Sequence, residues 1–333
     1  MRASILVLIL LLAGCDSRVQ LIEQQILQFG TIIDVSLIHA DRAKAEQTLV
    51  EIENQLALYR RYWHAWEDSD LSQFNRSLAS MQETTIPPSL AELIDLSHGY
   101  YRSSNRLFNP ALGKLIAAYG FHDASKADQA TISMIQQDMP SMLDLKIEGQ
   151  LATSANEHLQ LDFGGIAKGY AIGQIASMLK QQGYQHFLIN AGGDLITSGN
   201  KFGNAWTLAV QNPFAPGAIA SIELIGAHSL FTSGNYQRFY RKDGKRLHHI
   251  IDPRTGKPSA QISSATVLTG NPVLADVAAT TLMIDGLDNP ASLAHSLGVE
   301  DYLIVSEDQK ITISRSFAGK IKLISTLALT IID

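Results

Sequence analysis

From residue 159 the chain alternates. Leu159, Leu161 and Phe163 are apolar, and Gln160 and Asp162 between them are polar. That period of two predicts a strand. Gly164 and Gly165 follow. Then Ala167, Ala171, Ile175, Met178 and Leu179 recur at the spacing of one helix face, with Gly183 placed to end it. The stretch reads as strand, glycine turn, helix. The first amides of such a helix lack intrahelical partners and can hold an anion. Asp162 and Lys168 would set a carboxylate and an ammonium beside it. An ordinary turn whose glycines serve only packing explains the spacing equally well.

The same reading orders the rest of the chain. Val19, Ile22, Ile26 and Phe29 predict a short amphipathic helix or a tether over 17–29. A β-branched run predicts a strand at 31–38. Asp41 can cap a helix running to about residue 62, with Ala45, Leu49, Ile52, Leu56 and Tyr59 on one stripe. The aromatic cluster Tyr62, Trp63, His64 and Trp66 then leads into polar residues 67–75. This reads as a loop carrying rings to a planar ligand, or else as a hydrophobic plug. Pro87 and Pro88 precede a helix at 89–104, and 122–158 is irregular with one short helix. Further strands are predicted at 187–190, 205–211, 219–225, 264–269, 301–306 and 310–315. A helix over 275–284 opens with Asp276 and carries Thr280 one turn on. Helices and strands mix without regular alternation, so the expected class is α+β.

Composition narrows the function. Of 333 residues, 46% are hydrophobic and 17% charged, enough for a well-buried globular chain. The net charge is −6, and no long Lys/Arg run is present, so nucleic acid is excluded as the expected partner. Residues 1–14 combine Arg2 with an apolar core too short to span a bilayer, the form of a signal peptide. Leu12-Ala13-Gly14-Cys15 resembles a bacterial lipobox, and Cys15 is the only cysteine. Lipidation at Cys15 would anchor the mature chain, with residues 15–28 as tether and 29–333 as the folded domain. Asp16 after the cysteine resembles a signal for retention on the periplasmic side of the inner membrane. A plain cleaved signal with an incidental cysteine is the alternative.

Several blocks occur in order: Phe29-Gly30-Thr31, Asp68 to Asn75, Phe108-Asn109-Pro110, Leu161 to Tyr170, Gly192-Gly193-Asp194, Thr232-Ser233-Gly234, His249 to Gly256, and Ala275 to Thr280. Together they resemble the ApbE family of flavin transferases, over about residues 29–316. The chain departs from the family where Phe29 replaces a frequent Met and Asn109 a frequent Asp. Trp63 and Trp66 stand where the family usually offers a Tyr to stack on flavin.

The resemblance implies a mixed α/β fold with its active site in a cleft between two lobes. It implies FAD as substrate and a divalent cation, usually Mg2+, as cofactor. FMN would pass to a Thr or Ser hydroxyl of a target flavoprotein, such as a membrane redox subunit, through a phosphoester bond, and AMP would be released. Phosphoryl transfer of this kind depends on positioning and electrostatic stabilisation. Asp276 and Thr280, one turn apart, can share a helix face. With the Gly165 carbonyl they would hold the cation, although an Asp and Thr so spaced also occur as a helix cap and a surface residue. Lys168 is expected on phosphate. Asp162 is expected to accept a hydrogen bond from the ligand, or to cap the following helix. Leu107, Phe108, Asn109, Phe29, Ile250 and Trp66 are expected to line the FAD site. His249 is either the base for the acceptor hydroxyl or a structural turn residue. An FAD pyrophosphatase using the same metal site and a non-catalytic flavin-binding lipoprotein are the competing functions.

Overall fold

The computed structural model describes residues 18–121, 127–236, 239–242 and 245–333. Cys15 and the expected signal peptide lie outside the described residues. A nine-stranded sheet organises the chain. Its strands, in spatial order, are Gln20–Gln28, Thr31–His39, Phe187–Ala191, Asp194–Ser198, His228–Gly234, Ile262–Thr269, Asp301–Ser306, Lys310–Ser314 and Ala328–Ile332. Neighbours pair antiparallel except the last two, which run parallel.

Both faces of this sheet are covered, and the central strands show why they read as continuous apolar runs. Along Asp301–Ser306, Ile304 joins one core while Leu303 and Val305 join another. Leu230 and Phe231 divide in the same way. Side chains of a strand alternate faces, so a strand covered twice must be apolar twice. The larger core packs helices Arg42–Trp63, Pro88–Ser103, Ala167–Gln181 and Pro272–Asp285 on one face. The other face carries a three-stranded sheet of Trp206–Gln211, Ala218–Leu224 and Ile321–Leu323. A third, smaller cluster joins Leu112, Leu115, Tyr119, Ile132 and Ile135 to Ile251. The expected α+β class is what forms.

Three local expectations are corrected. Residues 20–28, expected as helix or tether, are the edge strand, paired with Thr31–His39 throughout. Ile22 and Ile26 are buried four residues apart. That spacing satisfies a period of two as well as a helical turn, and the neighbouring strand decides. Residues 70–78, expected within a loop, form helix Asp70–Leu78. Ser69 caps it, and Ser72 returns a side-chain bond to the Ser69 amide. Residues 159–163 join no sheet; they run beside 110–113 through an isolated bridge between Leu112 and Gln160 and the Asp162 amide on the Pro110 carbonyl at 2.8 Å. The Asn75 side chain takes both the N–H and the C=O of Leu161, each at 2.8 Å, so a side chain stands where a partner strand would.

Candidate active site

The glycine turn places the helix start. Ile166 and Ala167 donate their amides to the Phe163 carbonyl, which closes the turn into helix Ala167–Gln181. Asp162 Oδ1 accepts from the Gly164 amide at 2.8 Å, so this side chain braces the turn while facing the pocket. Helix Pro272–Asp285 packs against the same region. Asn271 caps that helix, which leaves Asp276 and Thr280 free for other work. The two helices touch at Gly169. A Cβ there would lie 2.4 Å from the Pro272 carbonyl oxygen and 2.8 Å from the Asp276 Cβ, so glycine is required for the approach. The Gly169 amide donates to Asp276 Oδ2 at 2.7 Å.

Gly165 lies against Thr280. A Cβ built on it would be 3.3 Å from the Thr280 hydroxyl oxygen and 3.2 Å from the Phe108 ring. The Thr280 hydroxyl in turn bonds Ser233 Oγ at 3.1 Å. Asp276 is 5% exposed. Burial pushes its carboxyl up to about 7, the nearby Asp194 carboxylate adds to this, and Lys168 opposes it. Asp194 is itself buried, accepts from the Thr232 amide at 3.0 Å and forms an ion pair with the Lys168 ammonium. Two buried carboxylates therefore share one lysine. A site with surplus negative charge and neutral oxygen donors suits a cation. Burial likewise raises the Tyr236 hydroxyl to about 12, with Asp194 again contributing.

One pocket collects most of the residues expected from the sequence. Asp162, Gly165, Lys168, Asp276 and Thr280 line its polar side. Leu107, Phe108, Asn109, His249 and Ile250 line the rest, with Pro110, Leu112 and Ile251. The pocket opens along the seam between the largest and the smallest cores. Leu107–Asn109 reaches it through a sharp reversal. Asn105 and Arg106 both have left-handed backbones, at φ 52° and 68°, and the Phe108 amide donates to Ser104 Oγ at 3.0 Å. The Asn109 amide group is held by the Pro140 carbonyl at 2.9 Å, which fixes this lining wall. The adjacent His248 is buried, with its Nε2 2.6 Å from the Ser259 carbonyl, whereas His249 lines the pocket.

Phe29, Trp63 and Trp66 stand elsewhere. Phe29 is the first residue of the turn joining strand Gln20–Gln28 to Thr31–His39, with φ 54°, and it packs partly buried against the main core. Trp63 is a core residue, stacked on Tyr59 at 4.4 Å and edge-on to Tyr170 at 5.4 Å, with its indole N–H on the Ser89 carbonyl. Trp66 lines a second cavity with Arg76, Lys114, Leu159 and Gln160. Ser233 and Asp194 were visible only as parts of motifs. Their places opposite Thr280 and Lys168 come from neighbouring strands.

The ApbE family model matches residues 29–303. The FAD:protein FMN transferase of Rhodobacter capsulatus is 33% identical over 288 residues, covering 85% of this chain and 55% of that protein; this chain spans about half its length. The FAD:protein FMN transferase of Klebsiella pneumoniae is 28% identical over 332 residues, covering 92% and 93% of the two chains. Among solved structures, the ApbE protein of Thermotoga maritima superposes with a TM-score of 0.80 at 23% identity, covering 90% of this chain and 99% of that one. The apo flavinyl transferase ApbE of Pseudomonas stutzeri superposes with a TM-score of 0.78 at 25% identity, covering 91% and 97%. With its fold and its sequence in agreement over most of its length, this chain belongs to the ApbE family.

Proposed function

We propose that this chain is a magnesium-dependent FAD:protein FMN transferase. It moves FMN from FAD onto a Thr or Ser hydroxyl of a target flavoprotein and releases AMP. The observation that carries this reading is the meeting of Asp276, Thr280 and Gly165 with Lys168 beneath an apolar slot. Among the described residues no group of three or more His, Cys, Asp or Glu could hold a metal ion. The donor set is instead one carboxylate, one hydroxyl and one backbone carbonyl. That set fits a hard cation that keeps positions for water and a diphosphate. When bound, Mg2+ would neutralise charge on the diphosphate oxygens.

The chain's own residues do the rest. Lys168, held by Asp194, offers its ammonium to the diphosphate as a point charge. Leu107, Phe108 and Ile250 exclude water from the slot. His249 takes the proton of the acceptor hydroxyl, whose oxygen forms the new bond to the FMN phosphorus as the bond to the AMP oxygen breaks. AMP leaves carrying the displaced oxygen. The chain is placed on the periplasmic face of the inner membrane by lipidation at Cys15.

Incubating the protein with FAD, MgCl2 and a Thr-bearing acceptor domain should leave fluorescent flavin covalently on the acceptor, and EDTA should abolish it. Release of FMN and AMP without labelling would identify an FAD pyrophosphatase instead. Flavin binding without turnover would identify a flavin-binding lipoprotein.

A further inference from the structure

The strand Gln20–Gln28 begins near the proposed anchor and ends beside the catalytic region. At its start, Gln20 lies opposite His39. The His39 ring packs on Tyr184, centroids 5.0 Å apart, and the Ile38 amide donates to the His186 carbonyl at 3.0 Å. The His186 ring accepts from the Asn200 amide at 3.0 Å, and the Gly226 amide donates to the Gly199 carbonyl at 2.8 Å. These contacts place the first strand's start, the turn at 199–204 and the loop at 225–226 along one end of the sheet. At the other end, Gln28 pairs with Thr31, and Thr31 lies against Gly192. Asp194, two residues further, holds Lys168. The start of the first strand and the pocket are therefore about one strand apart, roughly 30 Å for nine residues.

The end bearing the first strand's start combines exposed apolar side chains with cations. Val19, Phe202 and Ile225 are 55%, 51% and 62% exposed. Phe202 and Gly203 form a two-residue turn with φ 53° and 87°, closed by the Lys201 amide on the Asn204 carbonyl at 2.7 Å. A left-handed backbone is disfavoured for a bulky residue, yet here it presents an aromatic ring at a tip. Lys201 and Lys44 add cations at the same end, their ammonium groups 6.0 Å and 5.5 Å from the Trp206 and Tyr184 ring centroids. The carboxylate of Asp41 at this end is engaged by the Lys44 amide, at 3.0 Å.

Because residues 20–28 are strand and not tether, the leash is short. From Cys15 to Gln20 the chain spans at most about 17 Å fully extended. We propose that this end of the sheet is a membrane-resting face. Phe202 and Ile225 dip into the headgroup region, and Lys44 and Lys201 meet anionic lipid. The pocket then opens about 30 Å above the bilayer, and it accepts hydroxyls on extramembrane segments of its target. This rests on lipidation of Cys15.

The test uses the full-length lipidated protein in vesicles of phosphatidylcholine and phosphatidylglycerol. A lipidated Cys15 leaves no free thiol, so Phe202→Cys and, at the opposite end, Leu27→Cys can each carry one environment-sensitive dye. Leu27 is 75% exposed. The dye at 202 should brighten roughly twofold or more and be quenched by nitroxide lipids, while the dye at 27 should not respond. Quenching at 27, or at neither position, overturns the proposal. Mass spectrometry of the N-terminal peptide reports the anchor separately. An unmodified Cys15 removes the proposal together with the anchor. FMN transfer to a soluble acceptor by the same preparation should be unchanged in both variants, whereas absence of transfer by the parent protein would speak against the transferase reading and leave the membrane readout standing.

Discussion

The Gly169 amide and the Asp276 carboxylate, 107 positions apart in sequence, meet at 2.7 Å. This bond seats the acidic helix on the helix that starts at the glycine turn, and it aims one carboxylate oxygen. Gly169→Ala would drive a methyl into the Pro272 carbonyl, 2.4 Å away. Overpacking of this kind costs about 1–3 kcal/mol. The variant should lose several degrees of Tm and most FMN transfer, because separating the helices moves Asp276 away from Gly165. Thermal unfolding and the transfer assay check both.

Asp276 is held against its own stability. Without a cation, its folded carboxyl is raised to about 7 from an ordinary 3.8. A raised carboxyl binds its proton more tightly in the folded state. It therefore adds stability at acid pH, and that stability is lost as pH rises from about 4 through 7. Asp276→Asn should remove this dependence and raise the Tm of metal-free protein at pH 8 by on the order of a few degrees. The same variant should abolish transfer. A lower Tm at pH 8 would contradict the reading.

Thr280 contributes its hydroxyl, which lies beside Gly165 and bonds Ser233. Thr280→Val keeps the shape and removes the oxygen, so the MgCl2 needed for half-maximal rate should rise at least about tenfold. Thr280→Ser should stay close to the parent. Rates titrated against MgCl2 distinguish the two.

Lys168 acts through charge. Lys168→Met should lower kcat/KM by on the order of 10²–10³, the loss expected when one positioned charge is withdrawn from a phosphoryl transfer. Lys168→Arg should recover only part, since a planar fork does not replace a point charge held by Asp194. Steady-state kinetics with FAD as the varied substrate supply the measurement.

Much of this architecture is legible in residue order. Asp41 caps its helix as expected, helix Pro88–Ser103 follows its prolines, and each predicted internal strand from 187 onward forms within a few residues. These elements announce themselves through local chemistry: a side chain that reaches the next amides, a ring that cannot continue a ladder, or a run of β-branched residues. The motifs around Phe108, Lys168, His249 and Asp276 likewise named residues that meet in one pocket.

Other features were settled only when distant segments met. The spacing of Ile22 and Ile26 permits helix or strand, and pairing with Thr31–His39 chooses strand. The alternation at 159–163 promises a sheet, but Asn75 takes the backbone bonds of Leu161. Trp63 and Trp66 look interchangeable in a polar stretch, yet one is buried in the core and the other lines a separate cavity. Asp194 and Ser233 acquire roles only because their strands bring them to Lys168 and Thr280. The amino-acid sequence by itself determined the elements and the chemical groups available, because propensity and capping act over a few residues. The tertiary structure decided which groups share a site and which end of the sheet bears the pocket. Those depend on burial and pairing between segments a hundred residues apart.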